Sequence, residues 1–282
     1  MGFKAYACAN LGVLDGATVM INPSDNPALY EQDAVWNNDY LEDPFYRTKA
    51  RLIQGMIPYG VRTIIDVGCG NGANLHALDS GYWVVGADRS RTAIRYLKGR
   101  PVQTSADYLP FKDWSFDVVM SHQLLEHLPE DVFERAVQEL TRIASRYLLV
   151  SVPYRDRLKQ PRDCCRECGC IYNVWGHVRN FNEVAEIRRL FPAFQLRIHA
   201  FCGHENEYMT RVGLWIRQYL GGRWEGNPNS VCPRCGSKEK YQAGFPRRAI
   251  AGIVDRLDRL MPKEKAFWWL MCLFERTDSG PG

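Results

Sequence analysis

Glycines and acidic residues recur where successive strands of this chain are expected to end. Gly68 and Gly70 follow Asp66 within the run Asp-Val-Gly-Cys-Gly-Asn-Gly. Glycines at alternate positions allow a tight turn from strand to helix and let the backbone approach a ligand closely. Asp88 comes 22 residues after Asp66, where a carboxylate can accept hydrogen bonds from both hydroxyls of a ribose. Asp107 follows a third expected strand, so the pattern predicts a ligand crevice at one edge of a sheet.

Four cysteines form two knuckles of the same type. Two residues separate Cys165 from Cys168, and a glycine follows Cys168. Cys232 and Cys235 have the same spacing and are also followed by a glycine. Glycine lets backbone amides fold back onto the thiolates, and four thiolates satisfy tetrahedral zinc, so the spacing predicts a structural zinc site. Four further side chains are spare ligands, and Cys164 is placed to replace Cys165. They are Cys164, Cys170, His177 and Cys202.

Strands and helices must alternate to position these residues. A βαβ rhythm with apolar, β-branched strands predicts an α/β fold with a doubly wound, mostly parallel, seven-stranded sheet. The predicted strands are 62–67, 82–87, 102–104, 116–120, 147–152, 194–201 and 267–275, and the predicted helices are 45–57, 71–78, 91–97, 130–144 and 182–190. The last strand is expected at the sheet edge, where Trp268 and Trp269 would pack.

The order of the motifs resembles the class I S-adenosylmethionine-dependent methyltransferases, and most closely their small-molecule branch. The resemblance implies a Rossmann-like fold and S-adenosylmethionine as the cofactor. It covers about residues 45–155. It rests on Ile64–Gly72, Gly86-Ala87-Asp88, Ala106-Asp107 with Leu109-Pro110-Phe111, Ser115–Val119 and Leu125–Pro129.

The resemblance also implies a role for each matching residue. Gly68 and Gly70 would pass beside the methionine part of the cofactor, with Asp66 behind them. Asp88, next to Arg89, would hold the ribose. The other assignments are Asp107 on the adenine amino group with Tyr108 packed nearby, and Ser121, His122 and Gln123 facing the sulfonium and the acceptor.

The chemistry expected at this edge is an in-line displacement, in which positioning does much of the work. A general base helps when the acceptor is a hydroxyl. His122 and His204 are the favoured candidates, and Tyr154 follows the fifth strand at the same edge. Glu126 and His127 are interpreted mainly as helix-start and packing residues.

The chain is expected to divide into a core and insertions. The two knuckle insertions would meet at the ligand edge, where zinc would pin them together as a lid. The expected segments are an N-terminal cap with the first helix at 1–58, core at 59–156, the first zinc-knuckle insertion at 157–181, core at 182–201, the second insertion with an amphipathic helix at 202–265, and a final strand and tail at 266–282.

Composition and charge limit the kinds of molecule that we expect this protein to bind. The net charge is only +4, and basic and aromatic runs do not interleave, so nucleic acid is not expected as a partner. We expect a cytoplasmic protein acting on a hydroxyl of a small molecule, sugar or glycan. The basic amphipathic segment Arg247–Leu260 would dock on its own domain or lie on a membrane surface. A basic cluster, either solvated or meeting a phosphorylated acceptor, comprises Arg155, Arg157, Lys159, Arg162 and Arg166.

Several alternatives stay open at this point. An RNA or protein methyltransferase would use the zinc lid to grip a macromolecule, and a non-catalytic scaffold would keep the fold without the cofactor. A dehydrogenase fits less well, because the third glycine follows the second by only two positions. Extra cysteines also occur in arsenite methyltransferases, but pairing into knuckles departs from that pattern.

Overall fold

The structure, a computed structural model, describes residues 26–37, 40–76, 78 and 80–278. These residues form two compact units, each described here by itself. Unit 1 contains Arg157–Val178 and Asn206–Ala266 together with 26–29. Unit 2 contains Tyr30–Asp156, Arg179–Glu205 and 267–278.

Helices and strands alternate along the chain as the sequence predicts. The helices are α1 (Pro27–Tyr30), α2 (Asp33–Trp36), α3 (Pro44–Met56), α4 (Ala73–His76), α5 (Arg91–Ile94), α6 (Glu130–Ile143), α7 (Val184–Leu190), α8 (Arg211–Trp215), which continues as a π-helical turn (Ile216–Leu220), and α9 (Phe245–Asp258). The strands are β1 (Thr63–Val67), β2 (Trp83–Asp88), β3 (Pro101–Gln103), β4 (Phe116–His122), β5 (Ala144–Pro153), β6 (Arg162–Cys164), β7 (Ile171–Asn173), β8 (Phe194–Tyr208) and β9 (Glu264–Arg276).

Seven strands form the main sheet in the order β3-β2-β1-β4-β5-β9-β8. The pairs from β3 to β5 are parallel, and β9 runs antiparallel to β5. The predicted mostly parallel, Rossmann-like sheet is therefore confirmed. The prediction that the last strand lies at the edge is wrong, because β9 enters between β5 and β8. Trp268 and Trp269 thus belong to an inner strand.

The sheet buries an apolar layer on each face, because successive side chains of a strand point to opposite sides. Ile64 and Met120 pack on one face with Ile53 of α3. Ile65 and Val119 pack on the other face with residues of α6. Burial on both faces is typical of parallel strands and fixes the strand ends relative to one another.

Caps fix the start of the helix that leads into this core. The Asp43 carboxylate accepts a hydrogen bond from the Phe45 amide at 2.8 Å, and Pro44 occupies the first helical position of α3. The helix ends at Met56, before Pro58, as predicted.

The segment 202–265, predicted as the second insertion with an amphipathic helix, contains further regular elements. β8 continues through Cys202 to Tyr208, and α8, the π-helical turn and α9 follow within unit 1. Polar alternation in β8 obscures the strand, since most of its side chains are exposed or half-buried. Within the described ranges, no helix has the length and apolar character that crossing a bilayer requires.

Candidate functional site

The glycine turn after β1 holds its glycines in conformations that other residues rarely adopt. Gly68 has φ 77° and Gly70 has φ 55°. A Cβ added to Gly68 would lie 2.9 Å from Leu124, and one added to Gly70 would lie 2.6 Å from the Trp36 ring. Both the backbone conformation and the close approach therefore require glycine here.

Asp88, at the end of β2, ties this turn to the neighbouring strand. Its carboxylate accepts hydrogen bonds from the Gly70 amide at 2.9 Å and the Ser90 amide at 2.8 Å. Burial raises the pKa of Asp88. Each carboxylate oxygen can accept a further bond, so the ribose role predicted for Asp88 is compatible with these contacts. Arg89 lies 5.7 Å from the centre of the Tyr30 ring.

Asp107 follows β3, as predicted, and is engaged with protein groups. Its carboxylate accepts hydrogen bonds from the Ser105 hydroxyl and, at 2.8 Å, from the Arg135 guanidinium. The Ser105 hydrogen bond, followed by the contacts with Arg135, lowers the pKa of Asp107 against the opposing effect of its slight burial. Tyr108 is exposed. The adenine contact assigned to Asp107 stays a prediction, and it would have to be shared with Arg135.

Buried polar groups collect at the ends of β1 and β4. Asp66 is fully buried, and its carboxylate faces the Asn74 amide without a well-formed hydrogen bond. The Ser121 hydroxyl and the His122 Nε2 atom are also buried without a hydrogen-bond partner within the described ranges. His122 Nδ1 lies 3.0 Å from the Ser151 hydroxyl. Such groups are costly to bury unless a ligand completes their hydrogen bonds.

Lys49 adds a buried cation that the sequence analysis missed. Only 5% of Lys49 is exposed, and its Nζ lies 4.1 Å above the Trp269 ring. Burial lowers its pKa to about 8, while Cys202, Asp66 and Glu126 oppose that shift. Burial likewise raises the pKa of Asp66 to about 7, and Lys49 opposes it.

The position of Lys49 on α3 provides a sequence signal. Lys49 stands four residues after Phe45, four before Ile53 and seven before Met56, on the apolar face of the helix. A charge on such a face predicts a buried partner. Glu126, expected mainly to start a helix, is fully buried and is one of the carboxylates that interact with Lys49.

Burial also suppresses the charge of His122. Desolvation, with a smaller contribution from Lys49, lowers its pKa well below the ordinary value. The imidazole is therefore neutral near pH 7, the state in which a histidine can accept a proton.

The segment Tyr30–Trp36 lies over the glycine turn. The Tyr30 hydroxyl is 2.7 Å from His127 Nδ1, and the Trp36 carbonyl accepts a hydrogen bond from Asn71 at 3.0 Å. The Glu31 carboxylate accepts hydrogen bonds from the first amides of α5. This segment forms part of the predicted N-terminal cap, of which residues 1–25 lie outside the described residues.

Two residues at the neighbouring ends of β4 and β5 have left-handed backbones. Gln123 has φ 56° and Arg155 has φ 52°. The amide of Gln123 donates to the Ser151 carbonyl, and that of Arg155 donates to the Phe181 carbonyl. A strained backbone persists only where the surrounding structure holds it in place, and such residues often lie at functional sites.

The three predicted catalytic residues have different surroundings. His122 is buried, whereas His204 is exposed and stacks on the Phe45 ring at 4.9 Å between centroids. Tyr154 packs on Phe201 at 4.6 Å. Among the contacts of the described residues, none joins these three side chains to one another. The His122 side chain interacts electrostatically with Lys49.

In unit 1 the four knuckle cysteines come together. The Sγ atoms of Cys165, Cys168, Cys232 and Cys235 all lie within 4.8 Å of one another. The closest pairs, Cys165 with Cys235 and Cys168 with Cys232, are 3.5 Å apart. Zinc–sulfur bonds of about 2.3 Å in a tetrahedron place the sulfurs about 3.8 Å apart. The four thiols thus have the separation that such a metal requires.

Glycines and a short strand pairing shape this cluster. Gly169 has φ 70° and Gly236 has φ 72°, and their amides donate to the Cys165 and Cys232 carbonyls at 3.0 and 2.8 Å. Cys165 also pairs with Lys240 in an antiparallel bridge. None of the predicted spare ligands belongs to this group of four. Cys202 instead contacts Met271 in unit 2.

Arginines of the basic cluster predicted after β5 are in contact with other protein groups or buried. Arg157 forms an ion pair with Glu264, donates to the Met209 carbonyl at 3.1 Å and packs on the Tyr208 ring. Burial lowers the pKa of Arg162. The cluster is therefore not a uniformly solvated loop.

Comparisons with known proteins agree with the sheet and the motif order. Residues 65–146 match the family described as methyltransferase domain. The chain is 31% identical over 133 residues to "Probable S-adenosylmethionine-dependent methyltransferase Rv3030" of Mycobacterium tuberculosis strain H37Rv. Its counterpart MT3114 in strain CDC 1551 matches equally. The aligned segment covers 44% of this chain and 47% of the relative, so the chain spans about half the length of these relatives.

Solved structures extend the similarity at the level of the fold. One is a complex between the Haloferax volcanii Trm112 methyltransferase activator and the "putative methyltransferase", with TM-score 0.52 and 17% identity over 89% of this chain and 98% of that chain. Another is a "putative methyltransferase" from Bacillus halodurans C-125, with TM-score 0.51 and 13% identity over 82% and 97%. Residues 65–146 thus match a methyltransferase domain, and the relatives that share this part of the chain are named as probable S-adenosylmethionine-dependent methyltransferases.

Proposed function

We propose that this chain transfers a methyl group from S-adenosylmethionine to a hydroxyl of a small molecule, sugar or glycan. The observation that carries the proposal is the buried polar set Asp66, Ser121, His122 and Lys49 beside a glycine turn with no room for side chains. S-adenosylmethionine, when bound, supplies an electrophilic methyl group on a cationic sulfur.

The residues present fit this cofactor. Asp66 has buried carboxylate oxygens without well-formed hydrogen bonds, as expected for a group that receives a cationic amine. Gly68 and Gly70 would admit the methionine part beside their backbone. Asp88 would hold the ribose, with Arg89 next to it, and Asp107 with Tyr108 would contact the adenine.

We assign the acceptor side to the end of β4. A hydroxyl that receives a methyl group must release its proton, and neutral His122 can take it at Nε2. Ser151 would hold the ring through Nδ1. Lys49 would offset negative charge that develops on the acceptor oxygen. His204 and Tyr154 remain the alternative bases.

We further propose that Cys165, Cys168, Cys232 and Cys235 hold one structural zinc ion. Four cysteines fill the tetrahedral shell, so no position stays open for a catalytic water. The separations of the thiols support this assignment. The metal would stabilise unit 1 and take no part in the displacement.

Calorimetric titration with S-adenosylhomocysteine tests the cofactor assignment. We expect one site per chain with micromolar affinity, and a loss of about tenfold or more in Asp88→Ala, because charge-assisted hydrogen bonds are removed. Asp131→Ala, which removes an acidic residue from the first turn of α6, serves as the matched control. Equal affinity in Asp88→Ala and the control would refute the ribose assignment.

The same titration separates the alternatives. A folded, zinc-loaded protein that does not bind S-adenosylhomocysteine would favour a non-catalytic scaffold. Binding, combined with methylation of bulk RNA or protein rather than small hydroxyl acceptors, would favour a macromolecular substrate.

A further inference from the structure

Helix α9 in unit 1 exposes apolar side chains along one side. Leu260, just after the helix, is 83% exposed and Phe245 at its start is 84% exposed. The spacing from Ile250 to Ile253, Leu257 and Leu260 is three, four and three residues, which places them on one stripe. We define the α9 face as Phe245, Ile250, Ile253, Leu257, Leu260 and Met261, all of which are exposed.

A different side of α9 is packed within unit 1. Ala251 is fully buried, and a Cβ added to Gly221 would lie 2.7 Å from it. The Asp258 carboxylate, also buried, accepts a hydrogen bond from the Thr210 amide at 3.1 Å. The apolar stripe is therefore not the surface by which the helix docks on its own unit.

The charges of α9 are sorted between these two sides. Asp255 forms ion pairs with Arg217 and Arg223, at 3.0 and 2.6 Å. Asp258 is paired with Lys263. Both acidic residues of the helix are thus neutralised within unit 1.

Arg247 and Arg248 donate to backbone carbonyls of unit 1, whereas two other arginines face outward. Arg256 and Arg259 are exposed and form no ion pair within the described part of the chain. Helix α8, whose Gly213 approaches Asp258, has exposed residues of its own, which are Val212, Trp215 and Arg211. The outer surface thus combines apolar side chains with uncompensated arginines.

We propose that the α9 face docks unit 1 on an anionic lipid bilayer surface. An amphipathic helix with an apolar stripe and flanking arginines lies in the plane of the interface, with its apolar side among the headgroups and upper acyl chains. Arginines without acidic partners are attracted to anionic lipids. Phe245 is an apolar aromatic side chain of the kind that such helices bury in the interface. Charge favours lipid over a second copy of this chain, which would bring like charges together.

Co-sedimentation with vesicles tests the proposal, using the full zinc-loaded chain. One set of vesicles contains phosphatidylcholine alone and the other an equal mixture with phosphatidylglycerol. We expect partition onto the mixed vesicles that is at least about tenfold stronger than onto neutral ones and that falls as salt is added.

Two pairs of substitutions separate the contributions. Leu257→Ser with Leu260→Ser should weaken partition about tenfold or more, because apolar burial in the interface is lost. Arg256→Glu with Arg259→Glu should remove the preference for phosphatidylglycerol. Tyr59→Ser, which removes a fully exposed side chain from unit 2, is the control and should bind like the parent.

Circular dichroism and zinc content establish that each variant is folded. Equal partition of the parent and the leucine variant would overturn the proposal, and so would an absence of binding to anionic vesicles. A concentration-dependent dimer that the leucine substitutions dissolve, without vesicle binding, would assign the α9 face to a second copy instead.

Discussion

The carboxyl edge of the sheet and the four-cysteine cluster are built on opposite plans. At the sheet edge, Asp66 and Asp88 come from neighbouring parallel strands whose register pairs Asp66 with Gly86. Large apolar layers on both faces hold those strands. In unit 1, the two knuckle segments are joined by the bridge between Cys165 and Lys240, by the backbone hydrogen bonds beside it and by the buried Asp163 carboxylate, around a much smaller core.

This difference in support indicates which of the two sites needs its ligand in order to stay folded. The buried cluster around the knuckles consists of Cys165, Cys170, Tyr172 and Cys232, with Cys168 packed against it. Three of the proposed metal ligands are therefore themselves part of that small core. We expect the sheet edge to persist without its cofactor, and the knuckles to need their metal.

The largest expected effect is the loss of the metal. Cys232→Ser should reduce bound zinc from about one equivalent per chain to well below it, since a structural zinc site contributes on the order of 10 kcal/mol to folding. Amides of 164–170 and 231–237 should then exchange rapidly, while those of β1 and β4 stay protected. Metal analysis and hydrogen exchange measure both.

Cys170→Ser provides the matched control for that variant. Cys170 is buried in the same small cluster but lies outside the four proposed ligands. It should keep its zinc. If Cys232→Ser retains a full equivalent, or if β1 and β4 lose protection equally, the contrast between the two regions fails.

The next largest effect is expected for the stability of Lys49→Met. It leaves Asp66 without its buried cation, which costs about 3 kcal/mol when the carboxylate is ionised. The loss should be larger at pH 7.5 than at pH 6, because Asp66, with a pKa of about 7, is mostly protonated at the lower pH, while Lys49, with a pKa of about 8, is still mostly charged at the higher one. Urea denaturation at both pH values measures it.

Two further variants give that comparison its controls. Lys49→Arg keeps the charge and should retain most of the stability. Combining Lys49→Met with Asp66→Asn should recover part of the loss, as in a double-mutant cycle. A loss that is the same at both pH values would mean that Lys49 acts by packing on Trp269 alone.

The pH dependence of cofactor binding is a smaller effect. Affinity for S-adenosylhomocysteine should rise about tenfold from pH 6 to pH 8, as Asp66 ionises around its pKa of about 7 and meets the cationic amine. Asp66→Asn should flatten the profile. A tenfold rise that survives in Asp66→Asn would place the titrating group elsewhere.

The same raised pKa affects stability with the opposite sign. The contribution of Asp66 to stability is fully present below its ordinary pKa of 3.8 and is lost as the pH rises through about 7. The ionised Asp66 carboxylate, which favours cofactor binding, therefore destabilises the free protein.

The smallest expected effect concerns the segment over the glycine turn. Tyr30→Phe removes the hydroxyl that lies 2.7 Å from His127 Nδ1, and should lower the free energy of unfolding by about 1 kcal/mol. Thermal denaturation measures it. Tyr59→Phe, at an exposed position, is the control and should show no change.

Local sequence patterns predicted those features of the fold that depend mainly on neighbouring residues. Glycine spacing predicted the turn after β1, and apolar runs predicted most strands to within a few residues. The insertion of β9 between β5 and β8 was missed because a non-adjacent strand pairing leaves no mark in local periodicity. The burial of Lys49 and the contact of Trp36 with Gly70 depend on packing between distant segments.

The order of the strands also has a consequence during synthesis. The sixth position of the sheet, counted from β3, stays empty until β9, which follows the other six strands along the chain, enters between β5 and β8. Cys168 likewise precedes Cys232 by 64 residues, an interval of about 3 to 13 s at ribosomal rates of about 5 to 20 residues per second. For those seconds the first knuckle is a pair of thiols without its partners, open to oxidation or to another metal.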